Sequence, residues 1–290
     1  MGPGPGVAVT RGSPPAPPPD KLAPFEDALR ARFPSREELL AEARAQTQRR
    51  RAARQLGTAA AVAVFACGLL WADPAWQVTE LQTAIGEQRR ETLPDGSGVV
   101  LNTGTTLRIE HRLRTRRLDL VAGEAAFQVA HGWRPFSVSS GGIAVHDIGT
   151  GFTVRRLPDG ADVGVFDGEV ELAEPGQTPR RLLAGQVVRA VTAGPQQPVR
   201  EVGVDAVGAW REGRLVFDGT PLSAVLAELA RYRRAPLVLD DARAGSLRLS
   251  GSYDVAGLEA LIDALPQVLP VTVRRGGDGT VRVGLAEKKS

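Results

Sequence analysis

The chain has 290 residues, of which 42% are hydrophobic and 24% charged, with a net charge of +3 and a single cysteine. One cysteine excludes a disulfide framework, and the 33 glycines and 21 prolines predict many turns. The positive charge lies in the first 54 residues, where ten Lys/Arg accompany six Asp/Glu, so it favours a membrane-topology signal over a nucleic-acid surface.

The first 54 residues divide into a tail and a helical segment. Residues 1–20 are almost all small or proline, which predicts a disordered tail. Residues 21–54 have two helical patterns, the second opened by a Ser35–Glu38 capping box. Their apolar stripe is too small to form a core, so it either binds a partner or lies on a membrane as an amphipathic anchor. The stripe consists of Phe25, Leu29, Phe33, Leu39 and Leu40.

Residues 55–72 contain no charge and are long enough, at about 27 Å of helix, to cross a bilayer. The flanking charges predict a cytoplasmic N-terminus and an exterior C-terminal part. A core helix and a cleaved signal peptide fit less well, because the stretch lacks a polar face and follows fifty residues. A lipoprotein-like box ending at Cys67 leaves a lipid anchor as a further alternative. The topology residues are Arg49, Arg50, Arg51 and Arg54 before the span, and Trp71 and Trp76 at its far end.

Residues 82–174 alternate in the period of two that is typical of strands, beginning with a predicted strand over 83–93. Turns such as Pro94-Asp95-Gly96 separate the strands, because proline presets φ and glycine accepts a positive φ. The pattern predicts an all-β domain with two packed sheets. Residues 175–209 are predicted to be a linker with some strand content.

Residues 210–290 predict a small α+β domain with the order β-α-β-β-α-β-β. Its first helix is predicted to begin with Thr220 as N-cap and Pro221 at the first helical position. Asp254 is predicted to cap the second helix, and Pro266 to end it.

Residues with catalytic or metal-binding chemistry are sparse. His111, His131 and His146 are isolated from one another, and no second ligand lies at a metal-site spacing. The sequence therefore predicts no metal, no cofactor and no catalytic residue, and a protein that is not an enzyme.

An ordered series of motifs over about one hundred residues resembles the periplasmic domain of the FecR family. The series comprises TAIGEQR at 83–89, LPDGS at 93–97, LNT at 101–103, LVAGEAAFQVAH at 120–131, RPFSV at 134–138, IGTGFTV at 148–154, VEL at 170–172 and LAGQ at 183–186. Residues 210–290 resemble the short domain shared by secretins and the signalling ends of TonB-dependent receptors.

This resemblance implies a single-pass inner-membrane regulator. Proteins of the family bind an extracytoplasmic-function (ECF) sigma factor in the cytoplasm, and receive a signal from an outer-membrane TonB-dependent transducer that is usually loaded with an iron carrier or haem. An intramembrane protease can release the cytoplasmic piece. The lipid bilayer is the other implied partner, and no nucleic acid is expected.

Two binding surfaces are predicted on this basis. The stripe of Phe25, Leu29, Phe33, Leu39 and Leu40 is the expected sigma-binding surface, and Leu247, Leu249 and Tyr253 mark the strand expected to pair with the transducer. The segment 1–54 lacks the tryptophan that the family's cytoplasmic domain usually carries. A membrane-tethered periplasmic adaptor without a role in transcription therefore remains the alternative.

Overall fold

The computed structural model describes Phe25, Ala28 and residues 36–286. The chain divides into two compact units, Met1–Gly68 and Leu69–Ser290. The predicted disordered tail and two residues of the apolar stripe, Leu29 and Phe33, lie outside the described residues.

A helix of 37 residues, α1 (Arg36–Ala72), contains the apolar stretch. Glu37 and Glu38 lie in its first turn, where carboxylates interact favourably with the helix dipole. Its most apolar 18-residue window has a mean hydropathy of 1.7 and contains no buried residue. The Thr58 hydroxyl donates to the Arg54 carbonyl at 2.8 Å, so this polar group is satisfied within the helix. In the described part of the chain, α1 is the one helix long and apolar enough to cross a membrane.

Residues 77–201, called the β module, form two seven-stranded sheets in the described structure. The first sheet has the order β1-β4-β5-β7-β8-β11-β12 and the second β14-β13-β10-β9-β6-β3-β2. The strands are β1 (Gln77–Gln82), β2 (Arg89–Thr92), β3 (Gly98–Leu101), β4 (Thr106–His111), β5 (Arg116–Ala122), β6 (Glu124–Gln128), β7 (Phe136–Ser140), β8 (Ile143–Asp147), β9 (Gly151–Leu157), β10 (Gly160–Asp167), β11 (Glu169–Ala173), β12 (Arg180–Leu183), β13 (Gln186–Val191) and β14 (Arg200–Glu201).

Alternating apolar side chains of the two sheets form one core. Phe127 packs on Phe152 with ring centroids 5.2 Å apart, and edge-on to Phe136 at 6.1 Å. Each such fully buried side chain contributes about 1.5–3 kcal/mol. The predicted two-sheet β architecture is therefore present.

One expectation for this region is wrong in detail. Of the predicted strand over 83–93 only β2 (Arg89–Thr92) is a strand, because β1 ends at Gln82 and residues 83–88 form a turn. The chain turns between β1 and β2, because the Thr83 hydroxyl donates to the Asn102 carbonyl at 2.6 Å and Gly86 has a φ of 82°. The segment 175–209, predicted to be a linker with some strand content, contains β12, β13 and β14, and its apolar residues Leu182, Val188 and Ala190 are buried in the shared core.

The described residues 209–286, called the C-terminal module, contain two further sheets. A 3-10 turn, Ala209–Glu212, leads into the two-stranded sheet β15-β17, and the second sheet has the order β16-β19-β18. Helices pack on the sheets through residues such as Leu226, Leu229 and Ile262. The elements are β15 (Arg214–Pro221), α2 (Leu222–Ala230), β16 (Leu237–Leu239), α3 (Ala242–Gly245), β17 (Arg248–Asp254), α4 (Leu258–Val268), β18 (Val271–Arg275) and β19 (Val281–Leu285).

The helix boundaries differ from those predicted. Thr220 and Pro221 are the last residues of β15, and α2 begins at Leu222. No side chain caps this helix; the Leu222 amide donates instead to the Leu247 carbonyl at 2.7 Å. Asp254 ends β17 and is followed by a 3-10 turn before α4, which continues through Pro266 to Val268. The one-turn helix α3 is additional. It begins because the Asp241 carboxylate accepts the Arg243 amide at 2.8 Å.

Candidate functional site

The apolar stripe before the membrane stretch is exposed where it is described. Phe25 is helical and 69% exposed, and Leu39 and Leu40 on α1 are 52% and 46% exposed. In an isolated chain these large apolar side chains contact water, and this exposure favours their burial by a binding partner. The arginines predicted to set the topology, Arg49, Arg50, Arg51 and Arg54, are also exposed along α1.

The end of α1 is fastened by Asp73. This residue adopts a left-handed conformation with φ 41°, and its amide donates to the Leu69 carbonyl at 3.0 Å. Its carboxylate accepts the Arg114 amide at 2.9 Å and the Thr115 hydroxyl at 2.7 Å. Burial opposes ionisation, but these hydrogen bonds outweigh it and hold the pKa of Asp73 below its ordinary value. The loop between β4 and β5 is thereby attached directly to the last turn of the helix.

A buried ion-pair network joins the β module to the C-terminal module. The Arg231 guanidinium, 16% exposed, donates to the Glu124 carboxylate at 2.8 Å and to the Glu228 carboxylate at 2.6 Å. Arg155 of β9 donates to the other oxygen of Glu228 at 2.7 Å. Burial alone would lower the pKa of Arg231, but the two carboxylates outweigh it and raise that pKa. We call Glu124, Arg155, Glu228 and Arg231 the joint network.

Neutral hydrogen bonds surround the joint network. Asn102 donates to Glu124 at 2.9 Å and to the Tyr232 hydroxyl at 2.8 Å. The Thr103 hydroxyl donates to the Arg231 carbonyl at 2.9 Å. Burial, with nearby carboxylates adding to it, raises the pKa of the Tyr232 phenol, so this group stays neutral. The charged groups of the joint network therefore all have partners, which is the condition for a stable buried charge.

An apolar contact completes the joint. Ala126, on the outer side of β6, is buried in the core cluster of the C-terminal module, with Val100 and Phe166 packed against that cluster. The Arg211 guanidinium lies over the Phe166 ring, 3.5 Å from its centroid. Together with the ionic contacts, this makes the two modules one continuous packed body.

Gly123 directs the chain into this contact. It has a φ of 81°, and a side chain there would collide with the backbone of Thr105. Only glycine satisfies both conditions without strain. The residue that follows, Glu124, is thereby placed beside Asn102 and Arg231.

A cleft of about 990 Å³ lies beside the joint, lined by residues of both modules. Asp162 lines it, and burial raises the pKa of that carboxyl despite nearby arginines. No group of three potential metal ligands occurs among the described residues.

The residues predicted for the transducer contact lie in or beside β17. Leu249 is buried in the module core, and Leu247 and Tyr253 pack against it. Within the described structure β17 pairs only with β15, so its other edge has unpaired backbone groups. Its exposed side chains are those of Arg248, Ser250, Ser252 and Asp254.

The match to a known protein family lies in the β module. Residues 79–171 match the family profile described as FecR protein. The chain carries a FecR domain. The resemblance found in the sequence is thereby confirmed, and Asn102, Glu124 and Phe127 lie in matched motifs of this domain. No curated protein matches the chain significantly.

Solved structures extend the similarity of this FecR-domain protein beyond the FecR segment. Two crystal structures of a protein from Parabacteroides distasonis ATCC 8503, proposed to be an anti-sigma factor, resemble it, at 2.50 and 1.65 Å resolution. The first has a TM-score of 0.63 and 28% identity, covering 73% of this chain and all of the other. The second has a TM-score of 0.64 and 28% identity, covering 72% and all of the other.

Proposed function

We propose that this FecR-domain protein is a single-pass membrane regulator of an ECF sigma factor. The FecR domain carries the proposal, together with its similarity to structures of a protein proposed to be an anti-sigma factor. The apolar α1 is the transmembrane segment, with its arginine-rich side in the cytoplasm and residues 73–286 in the periplasm.

The exposed stripe on the cytoplasmic side is the sigma-binding surface. Phe25, Leu39 and Leu40 are the members described, and all three are exposed. An amphipathic helix that places such residues in a partner's groove buries them at about 1.5–3 kcal/mol each. Binding through this surface would occlude the sigma factor and hold it at the membrane.

The periplasmic part receives the signal. The free edge of β17 supports pairing with a strand of a TonB-dependent transducer's signalling domain, because an unpaired edge accepts a partner strand through backbone hydrogen bonds. An iron carrier or haem bound by the transducer is the proposed stimulus. Cleavage of α1 by an intramembrane protease is the proposed means of releasing the sigma factor.

The test uses the full chain in its native host. The protein is cross-linked in cells, purified from membranes, and its partners are identified by mass spectrometry. Wild type is compared with Phe25→Asp/Leu40→Asp, and with the control Gln46→Asp/Gln48→Asp, which adds the same charge to the same helical region. An ECF sigma factor is expected with wild type and control, and at least about tenfold less with the stripe variant, since two anchors are lost.

A reporter for promoters of the captured sigma factor gives the second readout. If the stripe variant retains the sigma factor, the stripe is not its binding surface. If all three proteins lack a sigma factor while an outer-membrane protein is captured, the adaptor without a transcriptional role is favoured.

A further inference from the structure

A surface of the β module next to the end of α1 combines exposed aromatic and cationic side chains. Trp133 is 81% exposed, Trp76 59% and Leu113 55%. Arg117 is exposed on β5 and Arg134 is half-buried in the loop before β7, and both line one cleft with Trp76. We call these five residues the juxtamembrane patch.

The patch is held close to the helix by specific contacts. The Arg114 guanidinium donates to the Leu70 carbonyl at 2.9 Å, and so satisfies one of the carbonyls that a helix end leaves free. Leu113 precedes this residue in the same loop, which Asp73 also holds. Arg112 donates to the Asp73 carbonyl as well. Leu113 therefore lies close in space to the C-terminal end of α1.

The loop that carries Trp133 is joined to the same region. The Arg116 guanidinium donates to the Arg134 carbonyl at 2.9 Å and to the Ala130 carbonyl at 3.0 Å. Arg116 also forms a salt bridge with Asp95 at 2.8 Å, and both side chains are largely buried. The position of the Trp133 loop is thus set by the strand that begins directly after the Asp73 contact.

The charge of the patch is not balanced. Glu110 is engaged by Arg112 and Asp95 by Arg116, and the Asp73 carboxylate accepts two hydrogen bonds. Among the described residues no salt bridge engages Arg117 or Arg134, although Glu110 lies opposite Arg117 in the strand register. Both arginines line a cleft of about 180 Å³ together with Trp76 and His111.

We propose that the juxtamembrane patch docks the β module onto the outer leaflet of the membrane that α1 spans. Trp133 and Leu113 insert at the level of the headgroups, where tryptophan is favoured. Arg117 and Arg134 bind headgroup phosphates, for which the planar guanidinium is suited. The patch is continuous with the membrane-spanning helix through Leu70 and Asp73, and its binding partner is therefore the bilayer. The inference rests on the proposed membrane span.

The experiment measures membrane depth by spin labelling of the full chain in nanodiscs. A label is placed at Trp133→Cys or, separately, at Leu113→Cys, each in a Cys67→Ala background, because Cys67 is the only cysteine. Leu183→Cys is the matched control, since Leu183 is 50% exposed on β12 at the opposite edge of the same sheet. The nanodiscs contain phosphatidylcholine alone, or with one third phosphatidylglycerol. A label on Cys67 of the unmodified chain reports the span itself.

With anionic lipid, the labels at 133 and 113 are expected to be accessible to oxygen and protected from an aqueous nickel reagent, while the label at 183 stays aqueous. Adding Arg117→Gln and Arg134→Gln should lower the ratio of docked to free label about thirty-fold, because each cation near an anionic surface is worth roughly a factor of five. Circular dichroism verifies that this variant is folded.

The outcomes separate the two proposals. A lipid-embedded Cys67 label with aqueous labels at 133 and 113 in both nanodiscs overturns the docking proposal alone, and makes a protein partner the candidate for the patch. Labels that embed equally with and without Arg117 and Arg134 overturn the phosphate contact. An aqueous Cys67 label refutes the span, and the docking proposal with it.

Discussion

At the scale of single residues, Glu124 shows how a polar side chain in an apolar strand defines a module contact. The next three residues of β6, from Ala125 to Phe127, are buried and apolar, and an isolated carboxylate beside them would be strongly destabilising. Arg231 compensates for it from a helix end 107 positions away. Sequence reasoning placed Glu124 in the FecR motif but missed its partner. The carboxylate within LVAGEAAF was the available signal, because it requires a cation that the strand itself lacks.

Removal of Arg231 should destabilise the β module and the C-terminal module. Arg231→Met leaves Glu124 buried without a counter-charge, while Glu228 keeps Arg155, and we expect a loss of about 3–5 kcal/mol in the free energy of unfolding. The measurement is chemical denaturation of the full chain in detergent, followed by near-UV circular dichroism, which reports the aromatic core of residues 77–286.

Arg243→Met is the matched control. Arg243 also pairs with a carboxylate, Asp241, but its side chain is 80% exposed, so the expected loss is under about 1 kcal/mol. Equal losses for the two variants would mean that the joint network adds no stability beyond a surface pair.

At the scale of secondary structure, alternation of apolar residues predicted the two-sheet β module because each strand has one buried face. The predicted start of the first helix in the C-terminal module was wrong because a hydrogen bond between residues distant in sequence replaces the expected capping residue. The Pro221 start is typical of a helix, yet the Leu247 carbonyl accepts the first helical amide and β15 continues to Pro221. The strand content predicted after residue 175 could not be assigned to individual strands, because glycine, proline and glutamine interrupt the few apolar residues that reach the core.

The contact between α1 and the β4–β5 loop should depend on the charge of Asp73. Asp73→Asn keeps the preference for a left-handed conformation but loses the acceptor for Thr115. Since hydrogen bonds to a charged group contribute about 1.5–3 kcal/mol, amide exchange of residues 112–116 should accelerate about tenfold or more. Hydrogen–deuterium exchange by mass spectrometry measures this, and Glu80→Gln on β1 is the control that should leave these amides unchanged.

Acid should have the same effect on wild type. The pKa of Asp73 is lowered in the folded protein, so its carboxylate stabilises the contact at every pH above the ordinary value of about 3.9. This stabilisation is lost as the pH falls below that value toward the folded pKa. After correction for intrinsic exchange, wild type near pH 3 should approach Asp73→Asn. A difference between the two proteins that stays constant down to that pH would show that protonation of Asp73 does not weaken the contact.

At the scale of the whole chain, two sets of contacts connect the C-terminal module with the last turn of α1. The joint network unites the C-terminal module with the β module, and Asp73 unites the β module with the last turn of α1. A partner on the edge of β17 would therefore act on a packed body attached to the helix. The membrane stretch and its flanking charges were readable from the sequence, whereas these connections depend on pairs distant in sequence.

The transducer contact predicts a specific cross-link. A photo-reactive amino acid at Ser252, exposed on β17, should capture the signalling domain of a TonB-dependent transducer in cells, because a paired strand lies about 5 Å from β17. The same substitution at Leu183, exposed on β12, is the control and should not capture this domain.

With Arg231→Met added, the cross-link at 252 should persist while the reporter response to the signal falls, because binding is local and its transmission requires the joint network. Capture at 183 but not at 252 would move the contact to the β module, and an undiminished response would show that the signal reaches α1 without the joint network.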